Sequence, residues 1–390
     1  MRRVRWIWFI ALILAIGMTG CWDRVEIEDR GFVVGAGIDL ADEEEAEEGQ
    51  YILTYQFVIP GGLQAREGDS NNGSSSKKAY FNLSSAANTM FGATRKLSYQ
   101  TSRSPYLQHM RMILISRKLS ESGELASVLD LFLRDHEMRR ATKIMVTEGD
   151  AREVLATNPK NEKLPVMFFE STSLNPTKSS SIYPPTNIGE VQAYILSKSS
   201  FALPIIRKLG NEVSVSGTAL FDNAQKLKGL LNEEETSGLN ILRGTAQDGV
   251  LEIHVNDEYM AYEIKGLRQS IQADVSDPEH IRFTLHLEME GNIGETQERL
   301  DLLSPHQLAE LEEKTEQEVI RITNGTLTKL QQEYGLDVIG LGKELDRRHH
   351  ALWQSIKDDW EQGERYFSRC DIEVKVRAKI RIVGSTLETK

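Results

Sequence analysis

Cys21 is the residue whose chemistry its neighbours specify best. Arg2, Arg3 and Arg5 open the chain, Trp6 to Met18 is an unbroken apolar or small-residue run, and Met18-Thr19-Gly20-Cys21 closes it. A bulky apolar residue, two small residues and a cysteine have the shape of a lipobox. In a lipobox the thiol is alkylated by a diacylglyceryl group before the signal peptidase cuts. The run of about thirteen residues matches a signal-peptide core, and a spanning helix needs roughly twenty. Residues 1–20 are therefore expected to be a lipoprotein signal peptide, with Cys21 as the lipidated first residue of the mature chain. An uncleaved N-terminal anchor helix is the alternative. One acyl chain binds a membrane only marginally, whereas the two of a diacylglycerol anchor it stably.

Other residues with chemical potential lack the spacing that chemistry requires. Gly35-Ala36-Gly37 follows a strand-like run, but the third glycine of a dinucleotide fingerprint is missing and no helix opens there. Gly342-Lys343 resembles the end of a phosphate loop, yet Asp337 stands at the first glycine position and Glu344 at the hydroxyl position. His349 and His350 are adjacent and on a helix would point about 100° apart, so they make no metal clip. His109 and His136 have no local nucleophile with which to form a triad. Cys370 follows Arg369, which could lower its pKa, but a structural thiol is the default. The acidic run Asp42 to Glu48 lacks the turn residues of an oxygen-ligand loop and reads as solvated. No catalytic, cofactor or metal site is expected, which favours a binding or structural protein over an enzyme. A site assembled from distant residues stays open.

The totals narrow the partners. The 390 residues carry a formal charge of −12, and loss of Arg2, Arg3 and Arg5 takes it to −15. That total speaks against nucleic acid and against a polybasic grip on anionic lipid. Some 370 mature residues exceed one typical core, so two or three domains are expected. With Cys21 lipidated, Cys370 has no disulfide partner.

The elements that would position these residues read as α+β. Strands are expected at Arg30 to Leu40 and Tyr51 to Pro60, flanking the acidic tip. A flexible stretch runs from Gly68 to Lys78, followed by a helix from Ser84 to Leu97. A strand at Met110 to Ser116, a helix at Glu121 to Arg134, a strand at Lys143 to Thr147 and a short helix capped by Asp150 come next. Residues 158–187 hold five of the ten prolines and read as a domain edge or extended bridge. A helix near Ile188 to Leu196 and a strand near Phe201 to Ile206 lead to a second unit opening with the strand Val213 to Phe221. Asn232 to Glu235 has capping-box spacing, and Ser304, Pro305 and Gln307 start the longest helix, which Gly335 can end. At the end, Ile372, Val374, Val376, Ala378, Ile380 and Ile382 alternate with Glu373, Lys375, Arg377, Lys379 and Arg381, one face buried and the other wet and largely cationic; a half-buried antiparallel strand is expected, with a binding edge as the alternative. The division expected is residues 1–20 as signal peptide, 21–205 as an N-terminal region with 158–187 as its candidate internal break, and 206–390 as a C-terminal α+β domain. Largely antiparallel sheets are expected.

Cys21-Trp22-Asp23, followed by Gly31-Phe32-Val33-Val34-Gly35-Ala36-Gly37-Ile38-Asp39, resembles the start of the Ger(x)C family, the C subunits of the nutrient germinant receptors of endospore-forming bacteria. His109 to Ser116, Leu131 to Asp135, Ser216 to Phe221, Leu230 to Thr236 and Leu352 to Trp360 extend the resemblance over nearly the whole chain. It implies a three-domain α+β lipoprotein on the outer face of the inner spore membrane. Its partners would be an integral-membrane A subunit and a transporter-like B subunit, and together they would trigger germination on nutrients. The resemblance carries over Cys21 alone as a site. A lipid-anchored solute-binding protein that captures the germinant itself is the competing reading.

Overall fold

Burial on both faces explains the first strands. β1 (Arg30–Leu40) and β2 (Tyr51–Val58) are apolar almost continuously and almost every residue is buried, as in sheets covered on two sides. A computed structural model describes residues 29–63, 78–174, 179–210, 212–256, 258–297 and 304–382, with residues 6 and 26. Cys21 and the lipobox lie outside the described residues, as do most of the stretch from Gly68 to Lys78 and Leu303.

The large sheet has the order β10-β9-β8-β6-β5-β1-β2-β3, with β4 beside β1 and β7 beside β6. Its other strands are β3 (Tyr80–Ala87), β4 (Ser104–Tyr106), β5 (Met112–Ser116), β6 (Lys143–Thr147), β7 (Thr186–Asn187), β8 (Phe201–Leu209), β9 (Glu212–Phe221) and β10 (Leu227–Leu231). The centre is parallel, since β1, β5, β6 and β8 run the same way, and the flanks are antiparallel. Helices α1 (Met90–Gln100), α2 (Arg117–Ser122), α3 (Leu125–Arg134) and α6 (Ile188–Ser197) cover one face. Helices α4 (Ala151–Leu155) and α5 (Pro165–Ser173) cover the other.

Four expectations change here. The segment from Ser84 to Leu97 is not one helix: β3 pairs with β2 through Ala87, and Thr89 then caps α1 by accepting from Gly92 N–H at 3.0 Å. The helix expected from Glu121 to Arg134 is two, separated by Gly123 in a left-handed conformation. The proline-rich stretch is not all loop, because Pro165 occupies the first turn of α5, where its missing N–H costs nothing. Val166 and Phe169 of that helix are fully buried. The strand at 212–221 pairs with β8 and joins the large sheet, which continues to Leu231.

The small sheet has the order β11-β12-β13-β14, formed by β11 (Gly249–Val255), β12 (Glu258–Asp274), β13 (Arg282–Thr296) and β14 (Asp371–Ile382). Its inner face packs Met260, Tyr262, Phe283, Leu285, Leu287, Val374 and Ala378 with α7 (Glu233–Leu242) and α8 (Pro305–Thr328). Asn232 and Glu235 form the reciprocal capping box of α7, at 2.9 and 2.8 Å. Ser304 accepts from Gln307 N–H at the start of α8, and Gly335, with φ of +66°, closes the π-helical turn that continues it. Leu311, Thr315, Val319 and Ile322 are the buried face of α8.

β14 alternates as expected but is parallel to β13, not antiparallel. The helices between the two strands return the chain to the end where β13 began, which is what a parallel pair needs. β14 is also an edge, and α8 covers part of it. Glu316 and Glu312 accept from the outward N–H groups of Ala378 and Ile380 at 3.0 and 3.1 Å. Filling edge donors with carboxylates blunts pairing with another chain.

Tyr183, Ala202, Leu220 and Leu231 of the first unit belong to the same apolar cluster as the small sheet. The two sheets therefore share a core. Among the described residues no helix is long and apolar enough to cross a membrane.

Candidate functional site

One concavity lies where the two units meet. Tyr194 of α6, the Ser197–Phe201 turn and Asn223 line one wall, and Arg243, Asp337–Gly340, Lys343, Trp353, Trp360 and Glu361 line the other, around about 730 Å³. Aromatic packing shapes it. Tyr194 stacks on Phe201 with ring centres 5.5 Å apart, and Phe201 stacks on Phe221 at 4.9 Å. Trp353 and Trp360 meet edge to face at 5.7 Å. Clefts between units with a few convergent polar groups are the usual place for a ligand.

The polar groups of this cleft are largely committed to one another. Asp337 accepts from Gly340, Leu341 and Gly342 N–H at 2.8, 3.0 and 2.6 Å, and from Trp360 Nε1–H at 3.0 Å. These are the loop donors that a bound phosphate would need. The residue that broke the phosphate-loop pattern thus supplies its own anion to that loop, which opens α9 (Leu341–Arg348). Lys343 places Nζ over the Tyr194 ring at 4.5 Å. Glu344 pairs with Arg347 and Arg348.

Glu361 bridges the cleft. Its Oε1 accepts from Asp337 N–H at 2.6 Å and its Oε2 from the Ser200 hydroxyl at 2.5 Å, joining α9's loop to the turn before β8. Beside it, Gln362 donates to Asn223 at 2.8 Å. Burial pushes the Glu361 carboxyl up to about 7; the Ser200 hydrogen bond opposes this and the Asp337 charge adds to it. Arg243 donates to Val338 C=O and lies over the Tyr183 ring, while its Nε is buried without a hydrogen-bond partner. The arrangement suits a latch between units better than an open acid–base pair, because each carboxylate oxygen of Asp337 and Glu361 already has a donor.

A second buried carboxylate explains the glycine motif. Asp39 accepts from Ala151 and Arg152 N–H at 2.7 and 3.0 Å, so it caps α4 from a distant strand. Asp150 stands at the N-cap position but makes no side-chain cap bond, contrary to the sequence expectation. Burial holds the Asp39 carboxyl up at about 6 despite these two donors. A Cβ on Gly35 would sit 2.3 Å from Val166 Cγ2, and one on Gly37 would sit 3.2 Å from the Ala151 backbone. The two glycines let α4 and α5 approach β1, a packing role and not a nucleotide one.

The remaining candidates stay apart. His350 Nδ1 lies 2.8 Å from Asp346, and His349 sits at the junction of α9 and α10 (His350–Ile356). The exposed His109 ring meets Phe32 edge to face at 5.4 Å. Cys370 is buried, and that burial pushes its thiol up to about 12, overriding Arg369. Asp42 pairs with Lys118 and Glu45 with Arg152 in the otherwise exposed acidic tip. No group of three or more His, Cys, Asp or Glu side chains among the described residues is placed to hold a metal. Sequence reading missed the roles of Asp39, Asp337 and Glu361. Only Asp337, three residues before Gly340, carried a local turn signal.

Comparison with known proteins covers both units. Residues 23–208 match the family described as "Spore germination protein N-terminal domain", and residues 216–384 match "Spore germination B3/ GerAC like, C-terminal". The chain is 29% identical to spore germination protein YndF of Bacillus subtilis (strain 168), over 96% of each chain. It is 26% identical to spore germination protein B3 of the same organism, over 96% of this chain and 97% of that one. The crystal structure of the GerBC protein superposes with a TM-score of 0.61 at 22% identity, covering 91% of this chain and 99% of that one. At that identity the likeness is one of fold. With both of its units matched in order, the chain belongs to the GerAC family of spore germination proteins.

Proposed function

We propose that this chain is a noncatalytic, lipid-anchored subunit of a spore germinant receptor. A diacylglyceryl group on Cys21 would hold it on the outer face of the inner spore membrane, where it would work with A- and B-type membrane subunits in nutrient-triggered germination. The observation that carries this reading is the order of features: a lipobox ending at Cys21, then two spore germination family regions beginning at residue 23 and running to 384. The cleft agrees with a structural role, since the Asp337 carboxylate is occupied by its own loop and Glu361 joins the two units through Ser200. Deleting the gene in a strain without redundant receptors should abolish germination to at least one nutrient. Germination to every nutrient at the parental rate would contradict the proposal.

The cleft favours one second reading, a lipid-anchored solute-binding protein that captures the germinant itself. Its aromatic walls and 730 Å³ would admit a small polar molecule. Calorimetry of the chain lacking Cys21 against the nutrients that trigger germination separates the two: heat of binding, lost in Trp353→Ala, would favour capture.

A further inference from the structure

The total charge conceals how that charge is laid out. β1, β5, β6 and β8 are parallel, so their N-terminal ends lie along one edge of the large sheet. The chain enters the fold at that edge, at Asp29, eight residues after Cys21. Those eight residues reach at most about 28 Å at ~3.5 Å each, whatever path they follow. An anchor at Cys21 therefore keeps this edge close to the bilayer.

Unpaired cations gather there. Arg103 precedes β4, whose Ser104 is in register with Arg30. Arg139 and Lys143 lead into β6, and Lys143 N–H donates to Arg111 C=O beside the start of β5. Lys78 precedes β3, where Tyr80 pairs with Val58 at the end of β2. Lys78, Arg103 and Arg139 are exposed and Lys143 is half-buried, and among the described residues none of the four is in an ion pair. Arg30 and Arg111 at the same edge are held by Glu137 and Glu170.

Exposed apolar side chains accompany them. Tyr99, at the end of α1, is 85% exposed. Phe81, 38% exposed, stacks on Phe57, and Leu63 follows β2 with 40% exposure. Tyrosine and basic side chains are the types favoured where protein meets lipid headgroups.

The other end of β1 is opposite in character. Glu43, Glu44 and Glu47 of the acidic tip are exposed, and no ion pair involves them among the described residues. β1 separates the two ends by about 33 Å at ~3.3 Å per residue, several times the ~8 Å over which salt screens charge at physiological strength. Asp29 at the same edge is exposed and of opposite charge, but the four cations outnumber it, so this edge can meet an anionic surface without repulsion from the acidic tip.

We infer that the edge bearing Lys78, Arg103, Arg139 and Lys143 lies on an anionic lipid surface, with Tyr99, Phe81 and Leu63 at headgroup depth and the acidic tip pointing away. The inference rests on the lipid-anchor reading for its proximity argument and adds the face that the anchor presents. Each cation near such a surface changes partition by about fivefold.

The test uses the lipidated chain in phosphatidylglycerol vesicles, with Cys370→Ser as background and a fluorophore on Ser102→Cys or Glu44→Cys. Acrylamide quenching at position 102 should fall severalfold relative to phosphatidylcholine vesicles, and quenching at 44 should stay the same. Arg103→Glu with Arg139→Glu should restore quenching at 102. Equal quenching at both positions on phosphatidylglycerol, or no response to charge reversal in a chain with an unchanged circular dichroism spectrum, would overturn the orientation. A partner that is protein and not lipid predicts that same absence of shielding. A chain that stays in the aqueous phase would instead contradict the anchor. The surface is then tested with the same labels on a chain starting at Trp22, held by an N-terminal polyhistidine on nickel-chelating lipid.

Discussion

The large sheet is covered on both faces through its parallel centre, whereas the small sheet buries one face and leaves the other wet. β1 shows an almost unbroken buried run, while β11 alternates buried and exposed at every residue. This difference decides what each sheet can tolerate. In the large sheet any added or removed methyl group meets a neighbour on one side or the other. In the small sheet half of the positions meet only water.

Four substitutions sharpen that contrast, in order of expected size. Phe169→Ala on α5 empties a site on the second face of the large sheet and should cost about 3–5 kcal/mol in denaturant unfolding. A cost near zero would mean that α5 is not part of the core. Glu361→Gln tests the join between the sheets. Because the folded state holds this carboxyl up at about 7, it binds more protons than the unfolded chain between about pH 4.5 and 7. Its contribution is fully present below the unfolded pKa and is lost as pH rises through 7. The glutamine variant should remove that slope, a difference on the order of 3 kcal/mol across the window. Parallel stability–pH curves for the two proteins would contradict the burial argument.

Gly35→Ala should cost about 1–3 kcal/mol by pushing its Cβ into Val166. Adding Val166→Ala should recover part of that loss, and strictly additive costs in the double-mutant cycle would show that the two sites do not touch. Lys375→Ala on the wet face of β14 should stay within about 0.5 kcal/mol. A larger effect there would imply that something covers the small sheet's outer face.

The same contrast governed what could be read from sequence. Alternation in β14 and the caps at Asn232 and Ser304 are local signals, and the structure places each of them as expected. The direction of β14 was not legible, because it depends on how the intervening helices return the chain. In the large sheet, the small residues Ser84-Ser85-Ala86-Ala87 that end β3 suit a helix as well as a strand, and the prolines around α5 read as loop. The candidate site was less legible still. Asp39 meets Ala151 across 112 residues, and Glu361 meets Ser200 across 161. Buried carboxylates that act by joining distant backbone leave little local trace.

Cys21 remains the one position with an assigned chemical role in the proposed function, and its substitution tests the central claim most directly. Cells expressing the parental chain or Cys21→Ala would be labelled with a radioactive fatty acid and separated into membrane and soluble fractions. The account predicts label and membrane association for the parental chain, and loss of both in Cys21→Ala. Equal labelling of the two chains would contradict it.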